Sequence, residues 1–253
     1  MYSSDIDVIT KMAEKKAKNA NQRTGKYLGR AVVTGFYIMV AIILSYTIGA
    51  ILYPKYPEVS KVLIAATFCF AIATVVFFSG ELFTGNNFVM TVGMFKGKVD
   101  ISSTLKVWLY SFIGNAIGLM IFGYLFVKSG ASFNAIQHYI EGVAYAKLEM
   151  PAYQMLLRGI LCNLIVCLAY LSGIKMKSES GKLIMMFFSV FAFIIAGFEH
   201  SIANIGIFSI AYFALGGLPM ALVLKNLLFV VIGNIGGLIL GGSMVYISVD
   251  EEY

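Results

Sequence analysis

The sequence predicts an all-α membrane protein of six transmembrane helices, arranged as an inverted 3+3 repeat whose second and fifth helices are broken. Three observations predict it. Apolar residues make up 59% of the 253-residue chain and charged residues only 13%, about half the charged share of a soluble domain. Six apolar stretches each reach the ~20 residues that a bilayer crossing needs. Two segments of the first half also recur in the second, nearly alike and at nearly the same spacing.

Residues 1–30 come first. "DIDVITKMAEKKAKNANQRTGKYLGR" is polar and helical in character. It lacks the short apolar core and cleavage site of a signal peptide. A retained cytoplasmic amphipathic helix is expected, resting on lipid at the membrane surface in the first instance, with plugging of the inner mouth as the alternative. A six-span unit covers 31–247, with spans at about 31–53, 62–95, 106–127, 154–174, 183–213 and 222–247. The first copy is about 31–127 and the second about 154–247. Between them, "ASFNAIQHYIEGVAYAKLEM" (131–150) reads as an amphipathic helix on the outer face, ended by Pro151. Residues 248–253 form a short cytoplasmic tail.

Charge sets the orientation. The N-terminal segment carries seven Lys/Arg, and the 96–106 and 175–182 loops carry three each. The opposite side has five, spread over longer sequence: Lys55, Lys61, Lys128, Lys147 and Lys225. The bias puts both termini in the cytoplasm, and the cytoplasmic (inner) membrane is the expected location. The formal net charge of +6 therefore reads as topology, and nucleic acid is not an expected partner. The three cysteines lie in apolar stretches with no disulfide or zinc spacing. His138 is far from His200 in sequence, so no haem or metal pair is suggested. No cofactor and no enzymatic activity are expected.

The breaks match each other. "FFSGELFTGNNF" (77–88) and "AGFEHSIANI" (196–205) each hold an acid, Glu81 or Glu199, followed five or six residues later by Asn87 or Asn204. Downstream lie "FIGNAIGLMIFG" (112–123) and "VIGNIGGLILGG" (231–242). Glu81 precedes Asn115 by 34 residues and Glu199 precedes Asn234 by 35. Three spans per copy is odd, so the copies cross in opposite directions, the arrangement from which transport pathways are built. A break in hydrocarbon strands amide and carbonyl groups at several kcal/mol each; Glu81, Thr84, Asn87, Ser201 and Asn204 can supply partners. The glutamates read best as structural groups at the breaks, because a carboxylate in the path would repel an anion. His200 has no counterpart of its kind: counting from the acid puts Leu82 opposite it, with Thr84 two residues on. Its ring, with an ordinary pKa near 6.5, can trade protons around neutral pH.

"GFEHSIAN" (197–204), "GELFTGN" (80–86) and "AKLEMPAYQMLLRGILCNLIVCLA" (146–169) resemble the signature segments of the formate/nitrite transporter family, whose members conduct formate, nitrite or hydrosulfide. The resemblance covers essentially the whole chain and is strongest to the hydrosulfide-conducting branch. It implies a homopentamer with one aquaporin-like pore per protomer. It further implies that His200 is the central pore histidine, Thr84 the threonine of the first break, and Asn163 and Asn204 polar neighbours of that histidine. Lys147 matches a lysine that attracts anions. Phe68 and Phe193 match the outer apolar constriction, and Ile72, Leu82, Phe83 and Val166 the inner one. Ile72 departs from the leucine of formate channels, a change of shape rather than polarity. The implied function is passive passage of small weak-acid anions, with transient protonation near His200. A proton-coupled transporter of the same anions is one alternative. An aquaporin-like neutral-solute channel is the other, although none of the four prolines stands in an Asn-Pro-Ala corner.

Overall fold

In hydrocarbon a chain must satisfy its backbone internally, and a single helix does so along its own length. In the computed structural model, which describes residues 3–248, helices account for every regular element and no strand occurs among the described residues. The first half runs α1 (Ser3–Gln22), α2 (Thr24–Leu52), α3 (Pro57–Phe68), α4 (Phe70–Phe77), α5 (Phe83–Phe95) and α6 (Ile101–Lys128). The second runs α7 (Phe133–Leu148), α8 (Ala152–Lys175), α9 (Glu179–Ile195), α10 (Ser201–Leu215) and α11 (Met220–Ile247). Both halves share one order: amphipathic helix, long helix, broken helix, long helix. The unbroken stretches α2, α3–α4, α6, α8 and α11 are long and apolar enough to cross a bilayer. The helices of the remaining apolar stretch are shorter, α9 of 17 residues and α10 of 15, the latter apolar along its length. The expected tail at 248–253 lies outside the described residues except for Ser248, which follows α11.

Long helices pair within each half, α2 on α6 and α8 on α11. The contacts explain the repeated glycines of 112–123 and 231–242. A methyl group at Gly118 would collide with the Val32 carbonyl oxygen, and one at Gly237 with that of Ile160. Small residues four apart thus bring the backbones together, and dispersion contacts between them replace the hydrophobic effect that lipid does not supply.

The N-terminal helix corrects the sequence reading. Ile6, Ile9, Ala13 and Ala20 are fully buried, because α1 packs on α5 and α6 and Ala13 lies against Gly93. The Asn21 amide donates to Ser103 Oγ at 3.0 Å. A helix resting on lipid would leave that apolar face open to the surroundings; here it is part of the bundle, each isoleucine contributing about 1.5–3 kcal/mol by burial. The first span also begins at Thr24 rather than 31. Where α1 meets α6, Asp100 caps the helix, accepting from Ser103 N–H at 2.7 Å and Ser103 Oγ at 2.9 Å. Those bonds hold its carboxyl below the usual range. The cap is therefore intact above the ordinary carboxylate pKa and weakens as pH falls through the lowered one.

Substituting Gly237 by Val should separate α8 from α11 and abolish the monodisperse folded protein in size-exclusion chromatography. The same change at Gly142 of α7, where an added methyl meets nothing, should cost no more than about 1 kcal/mol.

Candidate functional site

The two breaks are built alike. α4 ends with Ser79 at φ 52° and α9 with Gly197 at φ 74°. In the first, Ser79 N–H donates to Val76 O at 3.2 Å and Gly80 N–H to Val75 O at 2.7 Å. In the second, Gly197 N–H donates to Ile194 O and Phe198 N–H to Phe193 O, both at 3.0 Å. These paired bonds form the Schellman closure, which satisfies the last carbonyls of a helix. The carbonyl of the left-handed residue is taken up by an arginine one helix away: Arg30 reaches Ser79 O at 2.6 Å and Arg158 reaches Gly197 O at 3.4 Å.

Beyond each break one asparagine re-ties the backbone. Asn115 Oδ1 accepts from Phe83 N–H at 2.9 Å, while its amide donates to Glu81 O at 3.0 Å and Ala31 O at 2.8 Å. Asn234 Oδ1 accepts from Ser201 N–H at 2.8 Å, and its amide donates to Glu199 O at 2.9 Å and Gly159 O at 3.0 Å. Each asparagine thus meets the first amide of a half-helix and the carbonyl of the glutamate two residues before it.

The glutamates sit as structural groups, each 3% exposed at the side chain and each held by a lysine. Lys16 of α1 meets Glu81 at 2.6 Å, with Arg30 at 3.6 Å; Lys147 of α7 meets Glu199 at 2.7 Å. An asparagine five residues on donates to each: Asn86 to Glu81 at 3.2 Å and Asn204 to Glu199 at 2.6 Å. The match to Asn204 is therefore Asn86. Asn87, which the sequence reading paired with Asn204, is instead buried without a protein partner on either side-chain atom, because the helical phase of α5 turns Asn86 toward Glu81. Asn204 is further tied to Asn226 at 3.0 Å, and its bond to His200 runs through the backbone, Asn204 N–H donating to His200 O at 2.9 Å. Lys147, expected as an anion attractor, spends part of its charge on Glu199.

His200 occupies the point where the halves meet. It caps α10, accepting Ala203 N–H on Nδ1 at 3.2 Å. A nitrogen that accepts carries no proton, so in the neutral ring Nε2 is the N–H, and it faces Thr84 Oγ1 at 3.0 Å. The Phe193 ring stacks beside it at 6.1 Å between centroids. His200 is the one strongly polar side chain lining a cavity of about 20 Å³ whose walls include Phe68, Ile72, Leu82, Val166 and Phe193. That is room for about one water-sized molecule. Five of the six expected constriction residues are thus brought together. Phe83 is not: its ring packs edge-on against Phe112 of α6 at 5.2 Å. Asn163 is not part of that lining; it donates to Asn234 O at 3.0 Å and keeps Oδ1 unpartnered.

Sequence reasoning missed Lys16 and the arginine pair. The signal was present: α7, with Lys147, precedes the second copy as α1 precedes the first, so a lysine on α1 was due for Glu81.

A family model described as formate/nitrite transporter matches residues 6–247. An uncharacterised transporter of Bacillus subtilis, YwcJ, is 31% identical over 250 residues, 97% of this chain and 98% of its own length. The nitrite transporter NirC of Escherichia coli is 31% identical over 234 residues, 90% of this chain and 86% of its own. Among solved structures, an FNT family ion channel superposes with TM-score 0.89 at 28% identity, covering 98% of this chain and all of the other. A pentameric formate channel with formate bound superposes at 0.77 and 22% identity, covering 89% and 96%, which speaks to the fold.

Replacing Lys16 with Met should destabilise the protein by about 3 kcal/mol, since it leaves a buried carboxylate short of its main partner. The double variant Lys16→Met/Glu81→Gln should recover most of that loss, as read from thermal unfolding in one detergent.

Proposed function

The chain belongs to the formate/nitrite transporter family, and on that premise we propose that it is a passive channel for small monovalent anions of weak acids, hydrosulfide first, with formate and nitrite also passing. The observation that carries this reading is the small apolar cavity with His200 as its strongly polar wall. An unpaired ion in such surroundings costs on the order of tens of kcal/mol by simple solvation arguments, a neutral molecule far less. A weak-acid anion escapes the penalty by taking a proton; chloride, the base of a strong acid, does not. The cavity also favours the smallest candidate, because hydrosulfide has one heavy atom and formate has three.

The anion enters past Lys147, whose pairing with Glu199 makes it a docking donor more than a net attractor, and the amide ends of α5 and α10 favour negative charge at the centre. Lys16 serves the other mouth in the same way. His200 works as a neutral donor: Nε2–H polarises Thr84 and any group beside it, and the proton itself comes from water on the entry side. An imidazolium would have to release the Ala203 amide from Nδ1, stranding a buried N–H at about 1–3 kcal/mol. Phe68 and Phe193 form the outer dry stretch, and Ile72, Leu82 and Val166 the inner one.

Both termini face the cytoplasm on this reading, following the lysine and arginine bias, and the odd span count inverts the second half on the first. The assembly is a homopentamer, supported by the shared fold of the pentameric formate channel. Exposed apolar residues on α6, α10 and α11, among them Met120, Tyr212 and Met220, supply surface for a neighbouring copy or lipid.

Stopped-flow flux into proteoliposomes, with hydrosulfide, formate, nitrite, chloride and glycerol at several pH values, tests the proposal. Weak-acid anions should pass fast and chloride slowly. Chloride passing equally well would overturn the protonation step; saturable flux tied to a proton gradient would mean a transporter. Glycerol flux alone would mean a neutral-solute channel. His200→Ala should slow the weak-acid anions by about ten- to a hundredfold, the loss of one buried hydrogen bond at the barrier.

A further inference from the structure

At the elbow between α1 and α2, Lys15, Asn19, Arg23, Lys26, Tyr27 and Arg30 line a cavity of about 210 Å³. Helical spacing collects them: Lys15 and Asn19 are one turn apart on α1, and Lys26 and Arg30 one turn apart on α2, with Arg23 at the joint. The lining has four cations and no carboxylate. Among the described residues no ion pair takes Lys15, Arg23 or Lys26, and Glu81, 3.6 Å from Arg30, is already held by Lys16. Like charges gathered in a concave space favour an anion of more than one oxygen.

We infer that this elbow binds the phosphate of an anionic lipid headgroup from the leaflet on the α1 side. Depth and continuity argue for lipid. α2 is a membrane span that begins at Thr24, so Lys26 and Arg30 lie within about 10 Å of its end, at the level of the headgroups. Val33, on the same face just past Arg30, is 46% exposed and continues the surface toward the acyl chains. Basic clusters beside a span attract anionic lipids in this way. The side of the membrane rests on the orientation adopted above; the binding itself does not.

The test uses the full-length protein in phosphatidylcholine nanodiscs, titrated with short-chain phosphatidylglycerol or with inorganic phosphate and followed by native mass spectrometry. Phosphatidylglycerol should bind saturably. The exposed triple variant Lys15→Gln/Arg23→Gln/Lys26→Gln should weaken it by roughly a hundredfold. A charge-matched variant on the same side, Lys98→Gln/Lys177→Gln/Lys182→Gln, should leave it unchanged. Equal loss in both variants, or none in the first, overturns the site. Inorganic phosphate binding as tightly as the lipid overturns the headgroup assignment. Binding is read without anion flux, so failure here and failure of the channel reading are told apart.

Discussion

A helix broken among apolar neighbours must find partners for each backbone group the break sets free, and the rest of this structure follows from that demand. Asn115 and Asn234 answer it most directly, each joining the amide that opens a half-helix to the carbonyl of the glutamate two residues before it. Because the amide of each also bonds a long helix, at Ala31 or Gly159, the breaks are fixed to the scaffold. The glycines that let α6 approach α2, and α11 approach α8, put those carbonyls within reach. Close packing and break geometry are thus one constraint.

Charge is handled by the same duplicated logic. Two buried carboxylates would be intolerable alone, and each is met by a lysine arriving on an amphipathic helix from outside the spans. That explains why α1 packs into the bundle: it delivers Lys16, and its apolar face holds the lysine in place. Chemistry enters where the duplication fails. Leu82 stands opposite His200, and Thr84 opposite Ile202, so one half gives the donor ring and the other the hydroxyl it faces. Gly35 of α2, where an added methyl would meet the Asn115 carbonyl oxygen, stands opposite Asn163 of α8, which instead adds an amide bonded to Asn234 O.

Much of this was legible in the sequence, for a physical reason. Apolar length and the paired Glu and Asn motifs are imposed by the bilayer and by backbone satisfaction, which act on residue type directly. Five of the six apolar residues that the resemblance had divided between an outer and an inner constriction lie around one cavity with His200, and Thr84 faces that ring; Phe83 does not join them. What stayed hidden depends on rotation about a helix or on contacts between distant segments. Asn86 and Asn87 are adjacent, and only the helical phase of α5 decides which one meets Glu81. Phe83 and Leu82 are likewise neighbours, yet Leu82 ends the extended segment facing the cavity, while Phe83 opens the helix and turns toward α6. The burial of α1 was hidden because its composition is that of a surface helix, and only Gly93 and Glu81 on another element make it otherwise.

The position of His200 joins the structural demand to the chemical one. A half-helix needs an acceptor at its start, and serine, threonine or aspartate would meet that need as well as a ring nitrogen does. An aspartate there would place a second negative charge beside Glu199, and a hydroxyl would end short of Thr84. The imidazole spans the gap, because its two nitrogens point to opposite sides: Nδ1 closes the helix and Nε2 faces the other half of the molecule. Capping therefore fixes the tautomer, and the tautomer aims a donor toward Thr84 and the place where the walls are otherwise apolar. The group that satisfies the backbone is the group that can meet a passing anion, and neither role can be altered without disturbing the other.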